Sequence, residues 1–275
     1  MRIDAHHHLW TIARGDYGWM SPDLGPIYRD FTAEDLAPLL AEAGIDQTIL
    51  VQAADTVAET EFMLSLAGET PFVAGVVGWV DMEAPHAIAT LERLAKNPHF
   101  KGIRPMIQDI TDDDWILRPA LDRTFEALAA MDLRFDGLVL PRHLPRLLRR
   151  LERHPELKCV IDHGAKPALA TGDLDDWSRD MTRLANQTTA YCKLSGLVTE
   201  IGPNWGLAQL APARDTILEA FGAERTMFGS DWPVLNLASD YQTWVNTAET
   251  LVSDLSDTER VALWGGTAAE FYGTA

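Results

Sequence analysis

The chain predicts an α/β fold, a single (β/α)8 barrel, and three observations carry that prediction. Strand-like and helix-like segments alternate eight times with no linker, low-complexity stretch or composition shift between them. The strand-like segments are short, mostly continuous apolar runs, as parallel strands covered on both faces require. Polar residues able to do chemistry gather where those runs end, which is where a barrel of this kind keeps its active site. An open doubly wound sheet would instead carry a glycine-rich phosphate loop after its first strand, and His6-His7-His8 stands in that place.

The length of 275 residues with 47% hydrophobic content suits one barrel domain over residues 1–275. Strands are expected at Arg2–His6, Gln47–Gln52, Phe72–Val80, Lys101–Met106, Arg134–Leu138, Lys158–His163, Ala190–Ser195 and Arg225–Ser230. The first helix starts at Thr32-Ala-Glu-Asp, turns Leu36, Leu39 and Leu40 to one side, and ends at Gly44. Helical patterns follow over Glu59–Leu66, Ala84–Lys96, Pro119–Met131, Leu144–His154, Asp175–Asn186, Gly206–Phe221 and Tyr241–Leu251. Ser256-Asp-Thr-Glu opens a last helix with a capping box. Residues 11–31, rich in aromatic residues and proline, form a long irregular loop after strand one that would cover or line a pocket.

The balance of 23 basic against 41 acidic residues, a net charge of −18, argues against nucleic acid or an anionic membrane as partner. No apolar run approaches the ~18 residues of a membrane span, and no secretory signal is visible at the N-terminus. Cys159 and Cys192 both fall in buried strands, so a reducing cytoplasm is the expected setting. The expected partner is a small molecule, and a homo-oligomer is compatible with the sequence.

The strand ends supply the candidate site. In strand one, alternation puts His6 and His8 on one side and His7 on the other. Later ends contribute Gln52, then Trp79 and Asp81, then Arg104 and Gln108. Strand six adds Asp162, His163 and Lys166, strand seven Lys193 and Ser195, and strand eight Ser230, Asp231 and Trp232. Each has a plainer alternative. Asp231 could serve as a helix N-cap, and His163 as a core histidine. Lys166 could be a turn residue before Pro167, and Arg104 and Lys193 could be structural ion-pair members. His86, His99, His143 and His154 lie at helix ends or in loops and read as structural. The convergence of three histidines, one aspartate and two or three cations at one barrel mouth outweighs the separate alternatives.

Five motifs occur in order along the whole chain. They are Asp4-Ala5-His6-His7-His8-Leu9-Trp10, Lys101-Gly102-Ile103-Arg104, Pro141-Arg142-His143-Leu144-Pro145, Asp162-His163-Gly164-Ala165-Lys166-Pro167 and Phe228-Gly229-Ser230-Asp231-Trp232-Pro233. Together they resemble the lactonase branch of the amidohydrolase superfamily, whose members open sugar-acid lactones such as fucono- and rhamnonolactone, or dicarboxylate lactones. The resemblance implies a barrel and lactone hydrolysis. It matches His6 and His8 to the strand-one pair, His163 to the strand-six histidine, Asp231 to the strand-eight aspartate and Arg104 to a substrate-contacting arginine. The chain departs from dinuclear members in lacking the strand-four lysine that is carboxylated to bridge two metals, so a binuclear site is not expected. Pro105 stands where branch members often carry histidine.

The catalytic expectation is Asp231 as base, with His6, His8 and His163 polarising the ring carbonyl directly or through one divalent metal, Zn²⁺, held by His6, His8, His163 and Asp231. A metal-free hydrogen-bonded site is equally compatible with these residues. Arg104, Gln52, Gln108, Trp79, Lys166 and Trp232 are the expected substrate contacts. Related barrels perform non-oxidative decarboxylation with the same histidine and aspartate set, which stays open as a second activity.

Overall fold

The computed structural model describes residues 1–274. Eight parallel strands pair in sequence order: β1 (Ile3–His7), β2 (Gln47–Val51), β3 (Val73–Gly78), β4 (Phe100–Ile103), β5 (Arg134–Gly137), β6 (Cys159–Ile161), β7 (Tyr191–Leu194) and β8 (Thr226–Phe228). The ring closes just beyond β8. The His8 N–H donates to the Trp232 carbonyl at 2.7 Å, and the Asp231 N–H donates to the His6 carbonyl at 2.8 Å. The fold is a (β/α)8 barrel, and the closing bonds are made by the residues that carry the candidate chemistry.

Helices wrap the barrel as the amphipathic patterns require. They are α1 (Ala33–Ala43), α2 (Val57–Glu69), α3 (Ala87–Leu94), α4 (Asp122–Ala130), α5 (Leu144–Arg153), α6 (Asp175–Gln187), α7 (Leu207–Phe221) and α8 (Tyr241–Leu251). Helix α1 begins with a Thr32–Asp35 capping box and ends at Gly44 in the left-handed region. The outer strand faces, with Leu50, Val76, Ile103, Phe135, Ile161, Cys192 and Phe228, pack with the helices into one continuous core. The barrel interior is a separate cluster of Ile3, Ala5, Ile49, Val51, Val77, Val160 and Met227.

Two elements differ from the sequence expectation. The expected helix Pro119–Met131 starts as a separate 3-10 turn, Pro119–Leu121, before α4. The last helix is not continuous either. A short α9 (Asp257–Val261), opened by the Ser256 capping box, passes through a π turn at Ala262–Gly266 into α10 (Thr267–Tyr272). The side chains of Ala268, Ala269, Phe271 and Tyr272 join the interior cluster and plug the barrel opposite the strand C-termini.

Strand β1 is irregular where it matters. Its register against β2 shifts between Asp4 and His7. Asp4 accepts from the Tyr241 hydroxyl of α8 at 2.9 Å, so it faces the helices. Under strict alternation His6 would follow Asp4 outward. The shift, together with the 2.8 Å bond from the Ser230 N–H and the 3.1 Å bond from the His6 N–H to Asp4 Oδ1, turns His6 inward instead.

Candidate active site

The residues singled out in sequence converge around one carboxylate. Asp231 Oδ1 lies 3.3 Å from His8 Nε2, 3.6 Å from His6 Nε2 and 3.7 Å from His163 Nε2. The His6 and His163 rings are 4.4 Å apart between centroids, and the His6 and His8 rings 5.0 Å. His7 turns away, opposite to His6, and its Nε2 pairs with the Thr48 hydroxyl on β2 at 2.8 Å, a consequence of the register shift in β1. His163 and Asp231 both hold φ near +55°, at 54° and 58°, in a region that L-residues rarely occupy. Such conformations cost about 1–3 kcal/mol each and concentrate at functional sites.

Each imidazole is oriented from behind. His8 Nδ1 donates to the Val51 carbonyl at 2.8 Å, which aims Nε2 at Asp231 Oδ1, 3.3 Å away. His163 Nδ1 bonds the Ser195 hydroxyl at 2.8 Å. His6 Nδ1 lies 3.4 Å from Asp162 and 3.2 Å from Lys193 Nζ, while its Nε2 accepts from Arg104 Nη1 at 3.2 Å. Burial sets the charge states. It holds His163 down to about 4 and His6 well below the ordinary histidine value, against the pull of nearby carboxylates, so both rings are neutral at pH 7. Burial raises the Asp231 carboxyl, but His163 and the His8 hydrogen bond outweigh it and keep the group ionised.

Above Asp231 opens a cavity of about 210 Å³ lined by His8, Trp10, Trp19, Arg104, Gln108, His163, Lys166 and Asp231 among others. Trp10 and Trp19 come from the long loop after β1, which folds back through paired backbone bonds between Trp10 and Phe31. The Trp19 indole N–H donates to the Ala53 carbonyl at 2.7 Å and fixes the loop to the strand-two end.

Not every expected contact reaches this cavity. Gln52 is fully buried behind it and donates to the Arg104 carbonyl at 2.6 Å. Arg104 borders the cavity, but Nη1 faces Asp162 and His6, and Nη2 is bound to the Gln52 carbonyl. Trp79 lies beyond the cavity, on the wall of a larger outer pocket that meets it at Trp19, Met106 and Asp109. Trp232 is buried edge-on against Phe31, 5.1 Å between centroids, because its backbone is tied into barrel closure. Lys166 keeps its amine at the cavity, 4.0 Å from Glu200. His143 is structural as expected: its Nδ1 accepts the Leu140 N–H at 3.1 Å and its Nε2 meets Asp113.

The site has the donor set of a metal centre. His6, His163 and Asp231 offer ligand atoms all within 4.8 Å of one another, and they form the one such group of three among the described residues. Neutral imidazoles and an ionised carboxylate are the forms a divalent cation requires. His8 stands outside that group although it touches Asp231. The one lysine on β4, Lys101, reaches the Gly273 carbonyl at 3.4 Å, away from the site.

The fold and this histidine–aspartate cluster define a barrel enzyme of the hydrolase type. The amidohydrolase family model matches residues 3–274, and the chain belongs to that family. It is 46% identical over 275 residues to an L-fucono-1,5-lactonase of Burkholderia ambifaria, covering 98% of this chain and 95% of that one. It is 39% identical over 286 residues to an L-fucono-1,5-lactonase of Burkholderia multivorans, covering 99% and 96%. A crystal structure of an amidohydrolase from Burkholderia multivorans with bound Zn matches with a TM-score of 0.93, at 38% identity and 99% coverage of both chains.

Proposed function

We propose that the protein hydrolyses the ring ester of a sugar-acid lactone, with L-fucono-1,5-lactone the first substrate to test. The observation that carries this reading is the Asp231 carboxylate, ionised at the floor of a small cavity and ringed by three imidazole Nε2 atoms. The two curated relatives at 46% and 39% identity, both L-fucono-1,5-lactonases over nearly their whole length, supply the substrate class.

In this reading water adds to the ring carbonyl carbon, the ring C–O bond breaks, and the proton taken from water returns to the departing ring oxygen. Asp231 Oδ1 makes all three imidazole contacts, so Oδ2 is the oxygen assigned to take the water proton and give it back. His6, His163 and Asp231 are the residues assigned to hold one divalent cation, which when bound polarises the ring carbonyl. His8, fixed by Val51, keeps Asp231 aimed at the cavity. Gln108 and Lys166 on the cavity wall are placed for exocyclic hydroxyls, and Trp10 and Trp19 for the apolar face of the ring. Arg104 serves the site by bracing His6 and Asp162, since both terminal nitrogens are occupied. The described residues contain no helix long and apolar enough to cross a membrane, and both cysteines are free and buried, which suits a cytoplasmic protein.

The test is proton release at constant pH on a panel of aldonolactones, dicarboxylate lactones and a dihydroxybenzoate, each with and without chelator. Turnover of L-fucono-1,5-lactone well above the dicarboxylate lactones supports the reading. Turnover of a dicarboxylate lactone alone, or carbon dioxide release from the aromatic acid, overturns it.

A further inference from the structure

The chain beyond strand two is held by a carboxylate that its sequence position would send elsewhere. Thr56-Val57-Ala58-Glu59 has the spacing of a capping box, in which the glutamate reaches back to the N–H of the capping residue. Only half of the box forms. Thr56 Oγ1 accepts the Glu59 N–H at 3.0 Å, but the Glu59 carboxylate turns to the end of β2. Its oxygens accept the Ala53 N–H at 3.0 and 3.1 Å and the Ala54 N–H at 2.8 Å. Glu59 is fully buried, and Ala53 and Ala54 are buried with it. Among the described residues no backbone carbonyl takes either N–H, because the ladder to β3 ends at the bond from the Gln52 N–H to the Val77 carbonyl. Buried N–H groups without an acceptor are costly, so this carboxylate fixes the peptide planes around Ala53.

The other side of that peptide faces the site. The Ala53 carbonyl accepts the Trp19 indole N–H at 2.7 Å. Trp19 belongs to the irregular loop after β1, is 41% exposed, and stands edge-on to Trp10 with 5.7 Å between centroids. It walls both the 210 Å³ cavity above Asp231 and the outer pocket of about 550 Å³. The two spaces share Met106 and Asp109 as well, and these come from the segment after β4. Trp19 is the part of the partition supplied by a loop, and a half-exposed side chain there would sample several rotamers without its tie to Ala53.

We infer that Glu59 is a positioning residue that, through Ala53, holds Trp19 as the wall between the two spaces and so limits the size of the lactone admitted. The choice of substrate rests on the proposed function. The link from Glu59 to Trp19 rests on geometry alone.

The probes are L-fucono-1,5-lactone and its mono-O-benzyl ethers, one for each ring hydroxyl, and the quantity read is the ratio of kcat/KM for ether to parent. Trp19→Phe keeps an aromatic ring but cannot bond Ala53, and it should raise that ratio for at least one ether by about tenfold. Glu59→Leu should do the same from the other end of the link. The double variant should exceed either single variant by less than about threefold, since both cut one connection, whereas general loosening of the fold would add to the effect of Trp19→Phe. Glu59→Gln keeps an acceptor oxygen and should keep the wild-type ratio. Where Glu59→Leu does not fold, Glu59→Asp, with a carboxylate too short to reach both N–H groups, takes its place. An unchanged ratio in Trp19→Phe, or additive effects in the double variant, overturns the inference. The Trp19 indole N–H resonance, identified by its loss in Trp19→Phe, should be protected from solvent exchange in wild-type protein and lose protection when Glu59 is replaced by Leu or Asp. Unchanged protection also overturns the inference. If wild-type protein turns over no lactone, the proposed function fails while the exchange comparison still decides whether Glu59 holds Trp19.

Discussion

Replacing Gly196 with alanine is expected to cripple turnover although Gly196 touches no reacting atom. The residue follows β7 with φ +62°, and a Cβ built on it would lie 2.5 Å from His163 Nδ1 and 2.7 Å from His163 Cγ. Ordinary contact begins at 3.4 Å, so the ring must retreat by about 1 Å. That retreat breaks the 2.8 Å bond from His163 Nδ1 to Ser195 and carries Nε2 away from Asp231. A left-handed conformation costs an L-residue about 1–2 kcal/mol. The lost buried hydrogen bond adds about 1 kcal/mol. The expected stability loss is therefore about 2–3 kcal/mol by urea denaturation. Misplacing a site group by about 1 Å costs on the order of 100-fold in rate. Proton-release kinetics on the folded variant should show that drop in kcat. Gly172→Ala is the matched control: it has φ +73° and nothing within 4 Å of the added Cβ, so it should lose some stability and keep kcat. A Gly196→Ala protein with kcat within about threefold of wild type would refute the placement of His163 or its use in turnover.

Two further outcomes follow from the buried polar groups. Glu59 of α2 is fully buried, accepts the backbone N–H groups of Ala53 and Ala54, and is raised by burial from 4.5 to about 7. Between those values the unfolded chain has lost a proton that the folded one keeps, so this contribution is complete below pH 4.5 and lost as pH rises through 7. Glu59→Gln keeps an acceptor oxygen but does not titrate; from pH 5 to pH 8 it should gain on the parent by up to roughly 3 kcal/mol in urea melts, and parallel pH curves would contradict this. Elemental analysis of protein purified without added metal should find at most one divalent ion per chain, since the described residues hold a single three-ligand group; two ions per chain would contradict it.

Much of this architecture is legible in the chain because parallel barrel strands are apolar on both faces. All eight expected strands overlap the observed ones, but several run long. Phe72–Val80 contracts to Val73–Gly78, and Lys158–His163 to Cys159–Ile161, because the backbone enters the tight turn that aims His163. His6, His8, His163 and Asp231 could be found because each sits at a strand end, where position alone implies the barrel mouth. The groups that orient them were harder to read. Asp4 interrupts the apolar pair Ile3 and Ala5, a visible signal, yet only the register shift in β1 gives it the role of turning His6 inward. Ser195 and Asp162 stood at strand ends without an assigned partner. Trp79 and Trp232, expected at the cavity, lie away from it for a common cause. Strand-end position predicts height in the barrel but not direction once the strand has stopped, and one faces the outer pocket while the other is locked against Phe31.

The most direct test of the account is the turnover of Asp231→Asn on L-fucono-1,5-lactone. Asparagine keeps the shape of the side chain but cannot take a proton from water, so the folded variant should lose at least ~10²-fold in kcat, the usual scale for losing a general base. Its far-UV circular dichroism should match the parent, because the Asp231 backbone bond to His6 is untouched. A folded Asp231→Asn protein that opens the lactone at near wild-type kcat would contradict the central claim that this carboxylate, held among His6, His8 and His163, moves the proton.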